Sequence, residues 1–349
     1  MPGEYYYLRS FIESLTREHE GYPLWCFPSS EDPRDYKYTQ LVGASPAGEA
    51  EPIDYRTSLP PVFDQGQRGS CVACALAWTL KAYQEIKQGD YPPSGLSAAF
   101  LYSMCKLIDG LPGEEGTTPR AAMKVLNKAG ICMEEEMPYT QLSDLAAPNT
   151  PEVPEQALAN AVKFRIQSYA QLCGYGDRER SQVVSAMRQA LKQQGPFLMA
   201  LLVSENFVPD KDGMIPLPAG TARGGHAVGI VGDLPEQEAF ILRNSWGSSW
   251  GLEGYAMLPY AWVTQQFDNA WHVFEAWTAV DISISAPARR IEIVPGMISM
   301  HADDVEVLLE QPCFMASGNK LVGPIKELAE AMGYKVAWYG RKVILIKPN

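Results

Sequence analysis

The sequence predicts an α+β fold in which a helical part comes first and a strand-rich part follows. The run from Cys71 to about Gln88 is rich in Ala, Leu, Trp and Lys, contains no proline and stops at Gly89, a pattern typical of a helix with a C-terminal glycine. Two later runs, 226–234 and 239–244, are rich in apolar and small residues and predict neighbouring strands.

Three residues at the edges of these elements supply a cysteine-nucleophile site. Cys71 opens the predicted helix, His226 opens the first strand run, and Asn244 ends the second. A thiol attacks a carbonyl as thiolate, so it needs a base that takes its proton and later returns it to the leaving amine. Histidine does both near neutral pH. We therefore expect Cys71 to attack and His226 to move the proton.

The motifs around these residues resemble the papain-type cysteine peptidases over roughly residues 50 to 280. They are QGQRGSC, GGHAVGIVG and ILRNSWGSSWGLEGYAML, in that order along the chain. The segments DPRDYKY and LPPVFDQGQRGSC are most similar to the bacterial branch of that family. The resemblance implies a papain-like two-lobed fold, with a helical lobe carrying the cysteine and a β-barrel-like lobe carrying the histidine and asparagine.

The resemblance also implies roles for neighbouring side chains. Asn244 would orient the imidazole through its side-chain oxygen, and Trp246 would cover that hydrogen bond from water. The Gln65 side chain and the Cys71 backbone amide would stabilise the oxyanion that forms on attack. Cys71 in the first helical turn would be favoured as thiolate by the positive end of the helix dipole.

A peptide-binding cleft is implied beside Gly116, Thr117 and Gly225, with Trp246 in the same region. Their backbone groups would bind an extended peptide, and a glycine at 225 would leave the pocket roomy and uncharged. The alternative for residues 115–118 is an ordinary turn loop without substrate contact.

Two positions depart from the family pattern. Arg68 stands where a cysteine is usual, which removes a disulfide common in the family and adds a positive charge near the thiol. Val72 stands in place of an aromatic residue. Cys74, three positions after Cys71, is expected to be packing, with a redox partner for Cys71 as the alternative.

The function expected from this pattern is a cysteine endopeptidase that hydrolyses peptide bonds through a Cys71 acyl-enzyme. One alternative uses the same acyl-enzyme for transfer to an amine, and another is a peptide-binding homologue without turnover. No cofactor and no metal are expected, because side chains supply the chemistry.

Composition limits the partners and the location. The 349 residues are 46% hydrophobic, enough for a large core, and carry a net charge of −12 without a long basic run, which argues against nucleic acid and anionic membranes. No apolar stretch predicts a signal peptide or a membrane span. The seven cysteines are scattered and odd in number, so we expect reduced thiols and a cytoplasmic location.

Three units are expected: residues 1–50, 51–284 and 285–349. The first is an N-terminal arm packed on the surface or a short inhibitory pro-like segment, and the arm is favoured. The second is the peptidase domain. The third resembles the small α+β module named after the N-terminal domain of copper amine oxidases, although His301 alone could not hold copper. It predicts a recognition or spacer domain, with a protein partner as one option. Its predicted elements are strands 291–294, 305–309, 335–338 and 342–346 and a helix 324–332.

Overall fold

The computed structural model describes residues 2–33, 35–39, 51–177, 180, 182–281 and seven short strands between 291 and 346. Within this part, several helices pack around the helix that begins at Cys71. Most strands of a seven-stranded antiparallel sheet follow these helices along the chain. The predicted α+β fold of two lobes is confirmed.

Most helices precede the sheet. The α-helices are α1 Pro2–Glu13, α2 Cys71–Ala75, α3 Ala82–Gln88, α4 Ala98–Lys106, α5 Pro119–Lys128, α6 Thr140–Ser143, α7 Glu155–Ala161, α8 Val183–Gln194 and α9 Ala261–Thr264. Short 3₁₀ turns are Arg56–Ser58, Glu134–Glu136, Val162–Phe164 and Pro235–Gln237.

One continuous helix carries the nucleophile. A π-helical stretch, Leu76–Lys81, joins α2 to α3, and Gly89 follows with a φ of 82°, the left-handed conformation that ends a helix at glycine. The predicted helix over 71–88 is therefore confirmed, whereas the π stretch had no signal in the sequence.

The strands are β1 Glu18–His19, β2 Tyr22–Pro23, β3 Ile53–Asp54, β4 Ile166–Cys173, β5 Phe197–Ser204, β6 Ala222–Leu234, β7 Ala239–Arg243, β8 Tyr255–Pro259, β9 Gln266–Phe267, β10 Ala270–Trp271 and β11 Val273–Asp281. The main sheet has the order β4-β11-β5-β6-β7-β8, and β3 pairs with the end of β6. β1 with β2 and β9 with β10 form small hairpins.

Strand β5 shows why the sheet lies between two cores. All eight of its residues are buried, and successive side chains point to opposite faces of a sheet. Leu198 and Ala200 pack with the nucleophile helix, whereas Phe197 and Met199 pack with α8 and the far side of the sheet. The sheet thus presents β6 to the helical lobe.

Beyond residue 290, the structure describes strands only. They are β12 Ile291–Ile293, β13 Ser299–Ala302, β14 Val305–Leu308, β15 Phe314–Ala316, β16 Lys320–Val322, β17 Lys335–Tyr339 and β18 Lys342–Ile346. β17 and β18 pair as the expected antiparallel hairpin. The expected linker at 285–288 and the expected helix 324–332 lie outside the described residues.

Candidate active site

The loop before α2 fixes the position of Cys71. The side chain of Cys71 is fully buried at the first position of the helix. The Tyr139 hydroxyl donates to the backbone carbonyl of Gln65 (2.8 Å) and shares a second hydrogen bond with the Ser70 hydroxyl (2.6 Å). The loop that delivers the thiol is therefore tied to the helical lobe at both of its ends.

The pairing of β6 with β7 brings His226 and Asn244 together. Gly229 lies opposite Arg243 in the register, so Asn244 follows β7 beside the middle of β6. His226 Nε2 lies 2.7 Å from Asn244 Oδ1, which also accepts the Ser245 backbone N–H at 2.9 Å. Because that oxygen only accepts, Nε2 carries the proton and Nδ1 stays available as a base.

Trp246 covers this pair from the other side. Its ring stacks on the imidazole of His226 at 4.6 Å between centroids, with an interplanar angle of 26°. Both side chains are fully buried. The hydrogen bond between His226 and Asn244 is therefore shielded from water, as the sequence pattern led us to expect.

The surroundings of Cys71 favour its thiolate. Burial raises the pKa of the Cys71 thiol, but hydrogen bonds from the side chains of Cys26 and His226 lower it. The positive charge of His226 and the Ala227 backbone N–H lower it further, and the net pKa lies well below the ordinary value. The thiol can thus be ionised near neutral pH, which is the state that attacks a carbonyl.

Gln65 is held at both ends of its side-chain amide. Ser245 Oγ donates to Gln65 Oε1 at 2.6 Å, and Gln65 Nε2 donates to the Arg68 carbonyl at 2.8 Å. The hydroxyl of Ser245 thereby fixes which end of the amide carries the NH₂ group. Nε2 retains a second hydrogen beyond the one given to Arg68.

The positive charge that Arg68 brings near the thiol is paired with a carboxylate. Arg68 is buried and its Nε lies 3.0 Å from Glu115 Oε1, so the two charges compensate. Glu115 also accepts the Gly69 backbone N–H at 2.7 Å. This ion pair joins the loop before Cys71 to the loop that holds Gly116.

Replacing Glu115 with Ala should lower the free energy of unfolding by about 3 kcal/mol, because it leaves the buried guanidinium of Arg68 without its counter-charge. Glu114→Ala is a matched control. The Glu114 carboxylate is half-buried and pairs with Arg9, and a partly exposed ion pair of this kind contributes about 0–1 kcal/mol. Urea denaturation of both variants measures the difference. Equal unfolding free energies for the two variants would contradict the structural role assigned to the pair.

The N-terminal part of the chain occupies the space beside the predicted substrate-binding residues. In residues 24–27, here called the cleft segment, the Cys26 N–H donates to the Gly225 carbonyl at 2.9 Å. The Phe27 N–H donates to the Thr117 carbonyl (3.1 Å), and the Thr117 N–H donates to the Trp25 carbonyl (3.3 Å). The segment therefore bridges the helical lobe and the sheet lobe by backbone hydrogen bonds.

Two glycines make this close approach possible. A Cβ on Gly225 would lie 2.0 Å from the Cys26 carbonyl oxygen, and one on Gly116 would lie 2.1 Å from the Trp25 carbonyl oxygen. Gly116 also has a φ of 89°, which favours glycine in any case. The pocket expected to be roomy is thus filled by the chain itself. Thr117 meets the segment through an isolated bridge rather than through a regular strand.

Ionic contacts hold the residues that follow the cleft segment. Arg120 Nε lies 2.6 Å from Asp35 Oδ2, and Arg120 also pairs with Asp32. Ser29 donates through its hydroxyl to the buried Glu275 (2.8 Å) and also through its backbone N–H. The favoured interpretation of residues 1–50 as an arm packed on the domain surface stays a prediction, and within it residues 24–27 lie between Thr117 and Gly225.

Sequence reasoning missed three residues of this site. From the sequence, Cys26 is one of seven scattered cysteines, Ser245 is a position within the third motif, and Glu115 belongs to a loop. None of the three had a predicted role of its own. An available signal was the apolar run Leu24-Trp25-Cys26-Phe27 just before a turn-rich stretch, a composition that favours burial.

The described residues contain neither a metal-binding cluster nor a membrane-spanning helix. In that part of the chain, no group of three or more His, Cys, Asp or Glu side chains is arranged to hold a metal ion. Likewise, none of its helices is long and apolar enough to cross a membrane.

Comparisons with known proteins agree with this geometry. Xylellain, a cysteine protease from Xylella fastidiosa, superposes with a TM-score of 0.62 at 28% sequence identity, covering 76% of this chain and 98% of that protein. An uncharacterized peptidase C1-like protein of Acanthamoeba polyphaga mimivirus is 32% identical over 210 residues, which cover 58% of this chain and 66% of the viral protein, just under two thirds of it. Cathepsin B-like CP2 of Giardia intestinalis is 29% identical over 227 residues, covering 61% of this chain and 72% of its own length.

The family model described as papain family cysteine protease matches residues 50–266, which is more than half of the chain. The match spans Gln65, Cys71, His226 and Asn244 and ends at Gln266, the first residue of β9. The chain belongs to the papain family of cysteine proteases.

Proposed function

We propose that the chain is a cysteine endopeptidase that hydrolyses peptide bonds through an acyl-enzyme on Cys71. The observation that supports this most directly is the 2.7 Å hydrogen bond between His226 and Asn244 beside a buried Cys71 thiol, whose pKa His226 helps to hold well below its ordinary value. Peptides or proteins are the substrates that membership of a cysteine protease family implies.

The steps follow from the contacts. The Cys71 thiolate attacks the scissile carbonyl, and the imidazolium of His226 gives its proton to the leaving amine. Neutral His226 then takes a proton from water, which hydrolyses the thioester. Asn244 keeps the imidazole in one tautomer throughout. The remaining hydrogen of Gln65 Nε2 and the Cys71 backbone N–H would stabilise the oxyanion in both halves of the reaction.

Replacing Gln65 with Ala should lower kcat by about 100- to 1,000-fold, the usual cost of one oxyanion donor. Ser245→Ala should lower it by about tenfold, because the amide loses only the hydroxyl that orients it. Steady-state kinetics on one peptide substrate measure both values. A larger loss for Ser245→Ala than for Gln65→Ala would contradict the role of Ser245 as a positioning residue.

The alternatives are acyl transfer to an amine and peptide binding without turnover, and the family comparisons do not favour either. Incubating a diverse peptide library with the wild-type chain and with Cys71→Ala, under reducing conditions, tests the proposal. Cleavage by the first alone, read by mass spectrometry, supports a Cys71-dependent peptidase, and products joined to an added amine would indicate transfer. Intact peptides bound to the wild-type chain, after the cleft segment has been removed, would overturn the proposal.

We also propose that residues 24–27 keep the site latent. The segment uses Thr117 and Gly225, the same backbone groups that an extended peptide substrate would need. The Cys26 thiol is among the groups that lower the pKa of Cys71, so the segment lies next to the nucleophile. Gly116, Thr117 and Gly225 remain the proposed substrate-binding residues once the segment has left, with Trp246 beside the reacting groups.

Three further predictions rest on the sequence and stay predictions. Residues 285–349 form an accessory module like that of copper amine oxidases, a recognition or spacer domain with a protein partner as one option. The chain belongs to the bacterial branch of the family, for which the match along nearly all of xylellain is the support. The location is cytoplasmic.

A further inference from the structure

The contact that the known chemistry of this site does not explain is the one between two cysteines. Cys26 and Cys71 are both fully buried in one core cluster, and each thiol shifts the pKa of the other. Cys74 is the alternative redox partner for Cys71 that the sequence offers, but its thiol lies 3.5 Å from the Ser70 hydroxyl.

The backbone holds Cys26 in place from both sides. Its N–H is bonded to the Gly225 carbonyl, and the N–H of the next residue, Phe27, is bonded to Thr117 in the opposite lobe. The absence of a side chain on Gly225 lets the Cys26 carbonyl approach closely. Fixed main-chain contacts thus hold Cys26 next to Gly225, one residue before His226.

The two thiols have different chemical states. Burial raises the pKa of Cys26, and its hydrogen bond to Cys71 raises it further. The pKa of Cys71 is shifted in the opposite direction, well below its ordinary value. Cys26 therefore keeps its proton while Cys71 loses its own, which is a pairing of one nucleophilic thiolate with one resolving thiol.

We propose that Cys26 and Cys71 form a reversible disulfide that returns the peptidase to its latent state when peroxide is present. The inference rests on the proposed role of Cys71 as the nucleophile. It adds a covalent modification of the site, with hydrogen peroxide as the oxidant and a small-molecule thiol as the reductant.

The electron balance is that of a two-electron oxidation. When the cleft segment lifts, the Cys71 thiolate attacks peroxide, an S–O bond forms, the O–O bond breaks, and the second oxygen leaves as water after taking a proton. Cys71 is then a sulfenic acid. Cys26 returns with the segment, loses its proton and attacks the Cys71 sulfur. The S–O bond breaks, the hydroxide leaves as water, and the disulfide has formed. Two equivalents of a thiol reverse the reaction by exchange.

The consequence is protection of the nucleophile. A sulfenic acid without a resolving thiol is oxidised further to sulfinic acid, which ordinary thiols do not reduce. A disulfide to Cys26 stops the oxidation at a stage that a thiol can reverse. It also links the segment covalently to the residue that it covers.

The test uses the full chain. Peptidase activity and the masses of the digested peptides are measured on the same samples. Wild type, Cys26→Ser, Cys26→Ala and the control Cys74→Ser are treated with hydrogen peroxide and then with dithiothreitol. Cys74 is the matched control because it is a buried cysteine of the same helix whose own pKa is raised by burial.

We expect wild type and Cys74→Ser to give a Cys26–Cys71 peptide pair lighter by two hydrogens, and to recover their activity with dithiothreitol. Both Cys26 variants should instead accumulate sulfinic acid at Cys71 and lose their activity for good. A wild-type chain that forms sulfinic acid while Cys26 stays reduced, or that links Cys71 to another cysteine, would overturn the inference. The mass measurement needs no turnover, so its result is separate from a failure of the proposed peptidase activity.

Discussion

Removing the cleft segment after folding should raise kcat/KM for peptide hydrolysis by about 100- to 1,000-fold. A site for a specific protease placed within residues 41–50 allows the folded chain to be cut, and gel filtration then removes the released residues 1–40. A tethered segment acts at an effective concentration of about 1 mM, so a segment of micromolar affinity keeps about one chain in a thousand open. The cut chain freed of its segment is called the opened chain below.

Adding the peptide back provides the control. A synthetic peptide of residues 1–40 should inhibit the opened chain in competition with substrate. The same peptide with Trp25→Ala should inhibit less, because the Trp25 side chain lies against Gly69 and Gly116. An opened chain no faster than the uncut chain, together with a peptide that does not inhibit, would show that residues 24–27 do not block the site.

Replacing His226 with Ala in the opened chain should lower kcat/KM by about 10⁴-fold or more, since the residues of such a site act as a unit. The loss should come with a second change. His226 lowers the pKa of Cys71 by its hydrogen bond and its positive charge. Without His226 the pKa rises, and the pH above which Cys71 is alkylated by iodoacetamide should move upward. The pH profile of alkylation measures this shift.

Asn244→Ala serves as the comparison for His226→Ala. It removes the hydrogen bond that orients the ring but leaves the imidazole present, so kcat/KM should fall less and the alkylation profile should move less. An unchanged alkylation profile in His226→Ala would contradict the assignment of His226 as the partner of the Cys71 thiolate.

The sequence predicted the local parts of the site well. Helix 71–88 with its terminal glycine and the strands carrying His226 and Asn244 follow from runs of neighbouring residues, and short-range patterns determine them. The 2.7 Å contact between His226 and Asn244 is harder to predict, because it depends on which strands pair with each other. The 18-residue separation of the two residues favoured an antiparallel pair of neighbouring strands.

The sequence could not predict contacts made between distant parts of the chain. Cys26 reaches Cys71 only because residues 24–27 find hydrogen bonds in both lobes at once, and no periodicity reports such a placement. Likewise, nothing in the local sequence pairs Arg68 with Glu115, because the two residues are 47 positions apart. Both contacts concern buried groups whose partners are set by tertiary structure.

The most direct test of the account is the covalent intermediate itself. The opened chain is mixed with an activated ester of a short peptide, quenched in acid within the first turnover, and digested for mass spectrometry. The account predicts an acyl group on the peptide that contains Cys71, decaying as product appears, and no adduct in Cys71→Ala. Turnover without an adduct on Cys71, or turnover by the Cys71→Ala chain, would contradict it.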